Sequence, residues 1–199
     1  MIINPDKKLF SYAEIYGITV KALRSMPILM KAKKSGILSS KLQERIMLAV
    51  TGVNQCPMCS YAHTDMALQA GLRLEEIKAF VEGEIPGVPD AEIKAILFAQ
   101  HYADRRGKPS TDSWNSIVLE YGEERAKAIL SATRIIMMGN ALGIPAGSLG
   151  NRIKRKATDP RSSLAYEIGF VLLLLPIILV SLLHALVAFV ANYPFAKFD

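Results

Sequence analysis

Residues 40–64, SKLQERIMLAVTGVNQCPMCSYAHT, decide how this 199-residue chain folds. In the first part, residues 40–55, apolar side chains recur at helical spacing along one side, and the opposite side is hardly more polar. The stripe consists of Leu42, Ile46, Ala49, Val50 and Val53. A helix that is apolar nearly all round is buried, so this part predicts a core helix, capped by Ser39 or Ser40. Glu44, near its start, then needs an explanation of its own.

The second part of the stretch, residues 56–64, contains both cysteines of the chain and a histidine. Pro57 suits the first position of a helix, and a helix that opens at Cys56 places Cys56, Cys59 and His63 on one face. Amide dipoles at a helix N-terminus favour the thiolate, and His63, one turn after Cys59, is placed to accept or return the thiol proton. Cys-x-x-Cys spacing also closes a disulfide with little backbone movement. The pattern predicts a redox-active thiol pair.

Two other interpretations of the cysteine pattern stay open. Cys56, Cys59 and His63 could be three zinc ligands, although a structural zinc needs four and the sequence has no second cluster of Cys and His. The two cysteines could also be inert thiols in the core. A c-type haem site needs histidine directly after the second cysteine, where this chain has Ser60, so that site is not expected.

The rest of the first 150 residues is predicted to be helical. Helical periodicity, caps and breakers place the other helices at 9–34, 57–70 with Gly71 as the stop, 74–82, 90–106 capped by Asp90, and 111–140 broken at Gly122. Asn140 is expected to be a hydrogen-bonding residue at a helix end. No segment alternates as a strand does, and the predicted fold class is all-α.

The composition suits one folded domain in a reducing compartment. Hydrophobic residues make up 51% of the chain and charged residues 21%, which is too apolar for a disordered protein. Residues 1–20 lack the basic head and apolar core of a signal peptide. A bridge between cysteines three residues apart would brace little of the fold, so we predict a cytosol-facing domain.

The C-terminal segment has a different character. Residues 168–191 contain no Asp, Glu, Lys or Arg and as a helix would be about 36 Å long, enough to cross a bilayer core of about 30 Å even with Pro176 inside. Five basic residues precede this run: Arg152, Lys154, Arg155, Lys156 and Arg161. Beside such a run they favour a membrane surface over nucleic acid and place the domain on the cytoplasmic side.

These features divide the chain into three parts. We predict an all-helical thiol redox domain at 1–150, a basic linker at 151–163, and a hydrophobic C-terminal helix at 164–199 that anchors the chain in a membrane. The alternative is a soluble cytoplasmic homo-oligomer that buries the same helix between subunits. His184, an ionisable group inside the run, is expected to pack neutral against another helix.

With Glu44 included, the motif is Glu-x11-Cys-x2-Cys-x3-His, formed by Glu44, Cys56, Cys59 and His63. It resembles the alkyl hydroperoxidase D branch of the carboxymuconolactone decarboxylase-like family, which are all-α thiol enzymes. The likeness covers roughly residues 35–150, including RIIMMGNALGIP at 134–145. The resemblance implies that Cys59 attacks, Cys56 resolves, and Glu44 and His63 relay protons. From the sequence alone, Glu44 could instead be an exposed glutamate in the first turn of its helix.

The resemblance also implies a function and partners. We expect a thiol-dependent peroxidase or disulfide oxidoreductase that acts on a hydroperoxide or a disulfide, takes electrons from a lipoyl or thioredoxin-like dithiol, and forms trimers or multiples of them. No flavin, haem or nicotinamide cofactor is expected, because no Gly-x-Gly-x-x-Gly follows a strand. The alternative function is a non-catalytic redox-sensing or oligomerising module at a membrane.

Overall fold

The computed structural model describes residues 3–85 and 87–198, which form seven helices. In chain order these are α1 (Tyr12–Ser35), α2 (Ser40–Asn54), α3 (Pro57–Gln69), α4 (Leu74–Val81), α5 (Asp90–Asp104), α6 (Thr111–Ile153) and α7 (Leu164–Val190). Within the described residues there is no strand. The prediction of an all-α fold is confirmed.

The core is built around α2, as its apolar surface predicts. α3, α4, α5 and α6 all pack against it, and residues 42–52 and 54 of α2 are buried. At Gly52 the approach is so close that an added Cβ would collide with the carbonyl oxygen of Phe80 at the end of α4. The placement of α2 matters for function because Cys56 follows it after one intervening residue.

A buried ion network joins α2 to two neighbouring helices. Nε of Arg45 donates to Oε1 of Glu76 on α4 at 2.6 Å, and a second guanidinium nitrogen donates to Oε2 of Glu92 on α5 at 2.7 Å. All three side chains are at most 15% exposed. A buried charge is tolerated when it is paired and hydrogen-bonded, so the network fixes how α4 and α5 sit on α2.

Most helix ends agree with the sequence signals. The Ser39 hydroxyl accepts a hydrogen bond from the Leu42 amide at 3.1 Å, Gly71 adopts φ 86°, and Gly122 breaks α6 with φ 74° and ψ 160°. The prediction that Asp90 caps α5 is wrong. Pro89 occupies the cap position without a side-chain cap hydrogen bond, and Asp90 is already in the first turn, where the helix dipole favours its charge.

α6 is longer than its sequence predicts. The glycines and Pro145 after Asn140 are poor helix formers, yet the helix continues to Ile153. Packing explains the difference, because this part of α6 contacts α3 and α7 and buries Ala141, Ile144 and Ser148. The first three residues of the segment 151–163 are therefore helical.

α7 lies alongside α1 and α6 and is attached to the domain at both ends. At its start the rings of Tyr12 and Tyr166 stack at 5.5 Å, and the Tyr12 hydroxyl donates to the Tyr166 carbonyl at 3.0 Å. Beyond its end, Arg24 donates to the Tyr193 carbonyl at 2.6 Å, and the Arg134 guanidinium lies 4.7 Å from the centre of the Phe195 ring. The segment 193–195 thus folds back onto the same domain.

Within residues 3–85 and 87–198, two helices are long and apolar enough to cross a membrane, but their surroundings differ. The most apolar window of α6 is 78% buried inside the fold, as expected of a core helix. The corresponding window of α7 is only 17% buried. His184 of α7 packs against α1 as predicted, with Nδ1 2.7 Å from the Tyr16 hydroxyl.

The start of α1 contains an acid-sensitive contact. Glu14 accepts hydrogen bonds from Arg106 at 2.7 and 2.8 Å and from the Ser11 amide at 2.8 Å. The Arg106 guanidinium, aided by Ser11 and opposed by partial burial, lowers the pKa of Glu14 from 4.5 to about 2.

We expect the Glu14→Gln variant to be less stable than the wild type by about 1 kcal/mol at pH 7, because both partners are about one-third exposed and water screens the pair. A lowered pKa stabilises the fold above about pH 4.5, and that stabilisation is lost as pH falls towards 2. In urea unfolding, the difference in free energy of unfolding between the wild type and the variant should therefore become smaller from about pH 5 towards pH 3. Glu75→Gln, at an exposed position, is the control. A stability difference between the wild type and Glu14→Gln that does not change with pH would contradict the lowered pKa of Glu14 as its cause.

Candidate functional site

The two cysteines lie at the start of α3 and are joined in a disulfide. Cys56 is the residue before the helix, and Pro57 is the first helical residue, as predicted. The Cα atoms of Cys56 and Cys59 are 5.3 Å apart. The Cys59 amide donates to Sγ of Cys56 at 3.3 Å, so the helix N-terminus points at this sulfur. Cys56 is fully buried and Cys59 is 7% exposed, which makes Cys59 the more accessible sulfur.

Glu44 of α2 and His63 of α3 are in direct contact. Nδ1 of His63 lies 2.8 Å from Oε2 of Glu44, and the Gln43 side chain donates to the other carboxylate oxygen at 3.3 Å. Glu44 is 4% exposed, so the alternative of an exposed first-turn glutamate is wrong. His63 lies one helical turn after Cys59. The structure thus pairs Cys56 with Cys59 and Glu44 with His63, and α3 carries His63 one turn beyond Cys59.

The middle of α6 forms a wall against the sulfur atoms. Sγ of Cys59 lies 3.4 Å from the Gly139 carbonyl oxygen, which can accept a hydrogen bond from the reduced thiol. A Cβ added to Gly143 would lie 2.8 Å from Sγ of Cys59 and 3.2 Å from Sγ of Cys56. Only glycine fits here without movement. Sequence reasoning missed this role, although Gly139, Gly143 and Gly147 recur at four-residue spacing on one helix.

A polar contact between α2 and α6 holds this wall in place. The Asn54 side chain donates to Oδ1 of Asn140 at 2.9 Å, and Asn140 donates to the Thr51 hydroxyl at 3.1 Å. Asn140 is fully buried inside α6, so its expected position at a helix end is wrong, while its expected hydrogen-bonding role is confirmed. The buried amide pair fixes the register of α6 against the end of α2.

The segment after α6 adds a second missed contact. Arg161 donates to the carbonyl oxygens of Asn54 at 3.1 Å and Gln55 at 2.8 Å, immediately before Cys56. Asp159 pairs with the same guanidinium at 2.7 Å, and both side chains are at most 5% exposed. Arg161 was predicted only as part of a basic cluster. In the fold it satisfies the carbonyl groups at the C-terminal end of α2.

A mainly apolar cavity of about 580 Å³ opens next to the disulfide. Met58 and Tyr61 of α3 line one side, and Gly143 and Gly147 of α6 line the other. Lys154, from the segment after α6, also lines it. Gly143 lines this cavity and also leaves no room for a Cβ beside the two sulfurs, so it separates the cavity from the disulfide.

The zinc interpretation is not favoured by this arrangement. Cys56 and Cys59 are bonded to each other, and Nδ1 of His63 is taken by Glu44. Across residues 3–85 and 87–198, no group of three or more His, Cys, Asp and Glu side chains is arranged to hold a metal ion.

The close contact at Gly143 leads to a test of the wall. We expect Gly143→Ala to slow reduction and re-formation of the Cys56–Cys59 disulfide by roughly tenfold or more, because the new methyl group displaces a sulfur or shifts α6. Gly147→Ala, one turn further along α6, is the matched control, because a Cβ added there would lie 3.5 Å from the Cβ of Met58, an ordinary van der Waals contact. Thiol titration during reduction by dithiothreitol and during re-oxidation after its removal measures the two rates in each variant. Equal rates in the two variants would contradict the contact.

Comparison with known proteins identifies one family. Residues 23–101 match the model of the carboxymuconolactone decarboxylase family. The match runs from α1 into α5 and includes Glu44, Cys56, Cys59 and His63; it does not specify a branch. No curated protein and no solved structure matches the chain significantly.

Proposed function

We propose that this chain is a thiol-dependent oxidoreductase of the carboxymuconolactone decarboxylase family, in which Cys59 attacks a hydroperoxide or a disulfide and Cys56 resolves the product. The observation that carries the proposal is the Cys56–Cys59 disulfide at the start of the helix on which His63, one turn after Cys59, contacts the buried Glu44. Glu44 is only 4% exposed in an apolar helix, and burying a carboxylate is costly unless it has a hydrogen-bonding partner. His63 is that partner, and the pair is suited to proton transfer.

The reaction on a hydroperoxide has two steps. The Cys59 thiolate attacks the terminal oxygen of ROOH, the O–O bond breaks, and the alkoxide leaves as ROH after taking a proton. Cys59 is then a sulfenic acid. The Cys56 thiol attacks this sulfur, the disulfide forms, and hydroxide leaves as water with the Cys56 proton. In total two thiols and ROOH give one disulfide, ROH and water.

The Glu44–His63 pair suits the proton movements of both steps. In the first step a base must take the Cys59 proton and an acid must protonate the leaving alkoxide. His63 can take and return that proton from one helical turn away, and Glu44 orients the imidazole through Nδ1 and stabilises its charged form. The same pair can protonate the leaving thiolate when the substrate is a disulfide.

Regeneration requires a dithiol donor, which we propose to be a lipoyl group or a thioredoxin-like protein. One donor thiolate attacks Cys59, the more accessible sulfur, and a mixed disulfide forms as the Cys56 thiol is released. The second donor thiol then displaces Cys59. The apolar cavity at Gly143 is the proposed binding place for the substrate or the donor. Assembly into trimers or multiples of them remains part of the proposal.

Peptide mapping tests the function and its substrate class. The reduced protein is treated with a panel of hydroperoxides and low-molecular-weight disulfides, with and without dihydrolipoamide, and the Cys56–Cys59 peptide is quantified by mass spectrometry. We expect disulfide formation with at least one class and its reversal by the dithiol. If no compound reacts and iodoacetamide alkylates the thiols slowly at pH 6, the chain is a non-catalytic module and the proposal fails.

A further inference from the structure

The outward face of α7 is an exposed apolar surface that the thiol chemistry does not use. Its central stripe repeats at intervals of three and four residues over nearly five turns, and its members are between 47% and 71% exposed. They are Ile168, Leu172, Leu175, Leu179, Leu182 and Leu186. Exposed apolar residues continue on both sides, from Val171 round to Val180, so about half of the helix circumference is uncovered. A patch of this extent marks an interaction surface.

The residues of the central stripe, Ile168, Leu172, Leu175, Leu179, Leu182 and Leu186, have no side-chain group that can form a hydrogen bond. Ser181 is buried, and the exposed His184, at the edge of this face, uses Nδ1 for the Tyr16 hydroxyl of α1. Protein–protein interfaces carry roughly one hydrogen bond per 100–200 Å² and a polar rim. Hydrocarbon chains need no hydrogen bonds and can surround half of a helix, so the chemistry of this face fits lipid better than a second protein surface.

The attachment of both helix ends determines how a bilayer could meet α7. Tyr12 holds the start at Tyr166, while Arg24 holds the end at Tyr193, and both belong to α1. α1 also carries Lys21, whose ammonium donates to the Gly107 carbonyl at 2.9 Å. A bilayer crossed by α7 would have to enclose α1 and its charged side chains, which is costly.

We propose that α7 lies in the plane of a membrane surface, with its outward face among the acyl chains of one leaflet, instead of crossing the bilayer as the sequence predicted. The domain, packed on the opposite side of α7, then supplies the polar side of an interfacial helix. A groove of about 490 Å³ between α1 and the end of α7, lined by Leu23, Ile28, Leu186 and Phe189, continues the apolar surface.

Charge complementarity supports an anionic leaflet. Lys154, Arg155 and Lys156 are exposed shortly before α7, and Lys197 is exposed after it. The chain as a whole has a net charge of +6. Each basic residue near an anionic surface contributes about 1 kcal/mol, so binding should be stronger to vesicles that contain phosphatidylglycerol than to phosphatidylcholine alone.

Vesicle flotation of the full chain tests the proposal with a matched pair of variants. Leu172→Lys with Leu179→Lys changes the centre of the outward face, while Leu97→Lys with Leu119→Lys adds the same charge at exposed positions on α5 and α6. With vesicles of phosphatidylcholine and phosphatidylglycerol, we expect the first pair to lose at least about tenfold in partitioning, because lysine is costly among acyl chains. The control should float as the wild type does, and equal losses in both pairs would overturn the proposal.

Protease treatment of the bound protein distinguishes an in-plane helix from a crossing helix. A tag added after residue 199 should be cleaved from outside the vesicles together with the domain; protection of the tag would overturn the proposal. The alternative partner for the outward face of α7 is a second copy of this chain. The proposal also fails if the wild type does not float and forms a detergent-free oligomer that the Leu172→Lys, Leu179→Lys pair dissociates. These outcomes leave the thiol chemistry untouched, since peptide mapping tests it separately.

Discussion

Replacing Cys59 with serine should abolish turnover, with a loss of at least about a thousandfold for every hydroperoxide or disulfide that the wild type uses. A serine hydroxyl is scarcely ionised at neutral pH, and unlike a thiolate it cannot be oxidised to a sulfenic acid or form a disulfide. The proposed steps leave no substitute nucleophile, because Cys56 is fully buried. Consumption of the substrate and oxidation of the dithiol donor, followed under steady-state conditions, measure the effect.

The Cys56→Ser variant is the matched control for this prediction. Both variants lose the same disulfide, so any shared effect on folding cancels when they are compared. Without a donor, Cys56→Ser should consume about one equivalent of hydroperoxide and stop at the sulfenic acid of Cys59, which dimedone traps. Full turnover in Cys59→Ser, or sulfenic acid found at Cys56, would reverse the assigned roles.

The fold and the contacts among the four candidate site residues could be predicted because their signals are local. The buried character of α2 follows from residues within 15 positions of one another, and the thiol pair lies in a single helical turn. The Glu44–His63 contact joins residues only 19 positions apart, and the family resemblance supplied it. Caps and breakers at Ser39, Gly71 and Gly122 likewise act on their immediate neighbours.

The contacts that the sequence did not predict come from distant parts of the chain. Gly139 and Gly143 reach the disulfide across about 80 residues, and Arg161 reaches the end of α2 across 106 and 107 positions. Glycine spacing on a helix and a basic cluster before an apolar run are both common patterns, so neither indicates a partner. The attachment of α7 at both ends has the same origin, since it depends on Tyr12 and Arg24 of α1.

The Glu44→Gln variant should keep the fold and lose turnover by about a hundredfold or more, the range in which a positioned acid–base group contributes. Glutamine has nearly the same shape and can still accept the hydrogen bond from His63, so α2 and α3 should stay packed. It carries no charge to stabilise the protonated imidazole during proton transfer. Circular dichroism checks the fold, and single-turnover kinetics measures the oxidation of Cys59. Glu75→Gln, at an exposed position on α4, should leave both unchanged.

A double-mutant cycle with His63→Gln determines whether the two residues act as one unit. If Glu44 acts only through His63, each single variant removes the same relay, and the double variant should be little slower than His63→Gln alone. The coupling free energy would then be large and comparable to the effect of Glu44→Gln itself. If the losses add, Glu44 stabilises the site by a route separate from His63. Their 2.8 Å contact would then be a feature of packing, and a proton relay through both residues would be contradicted.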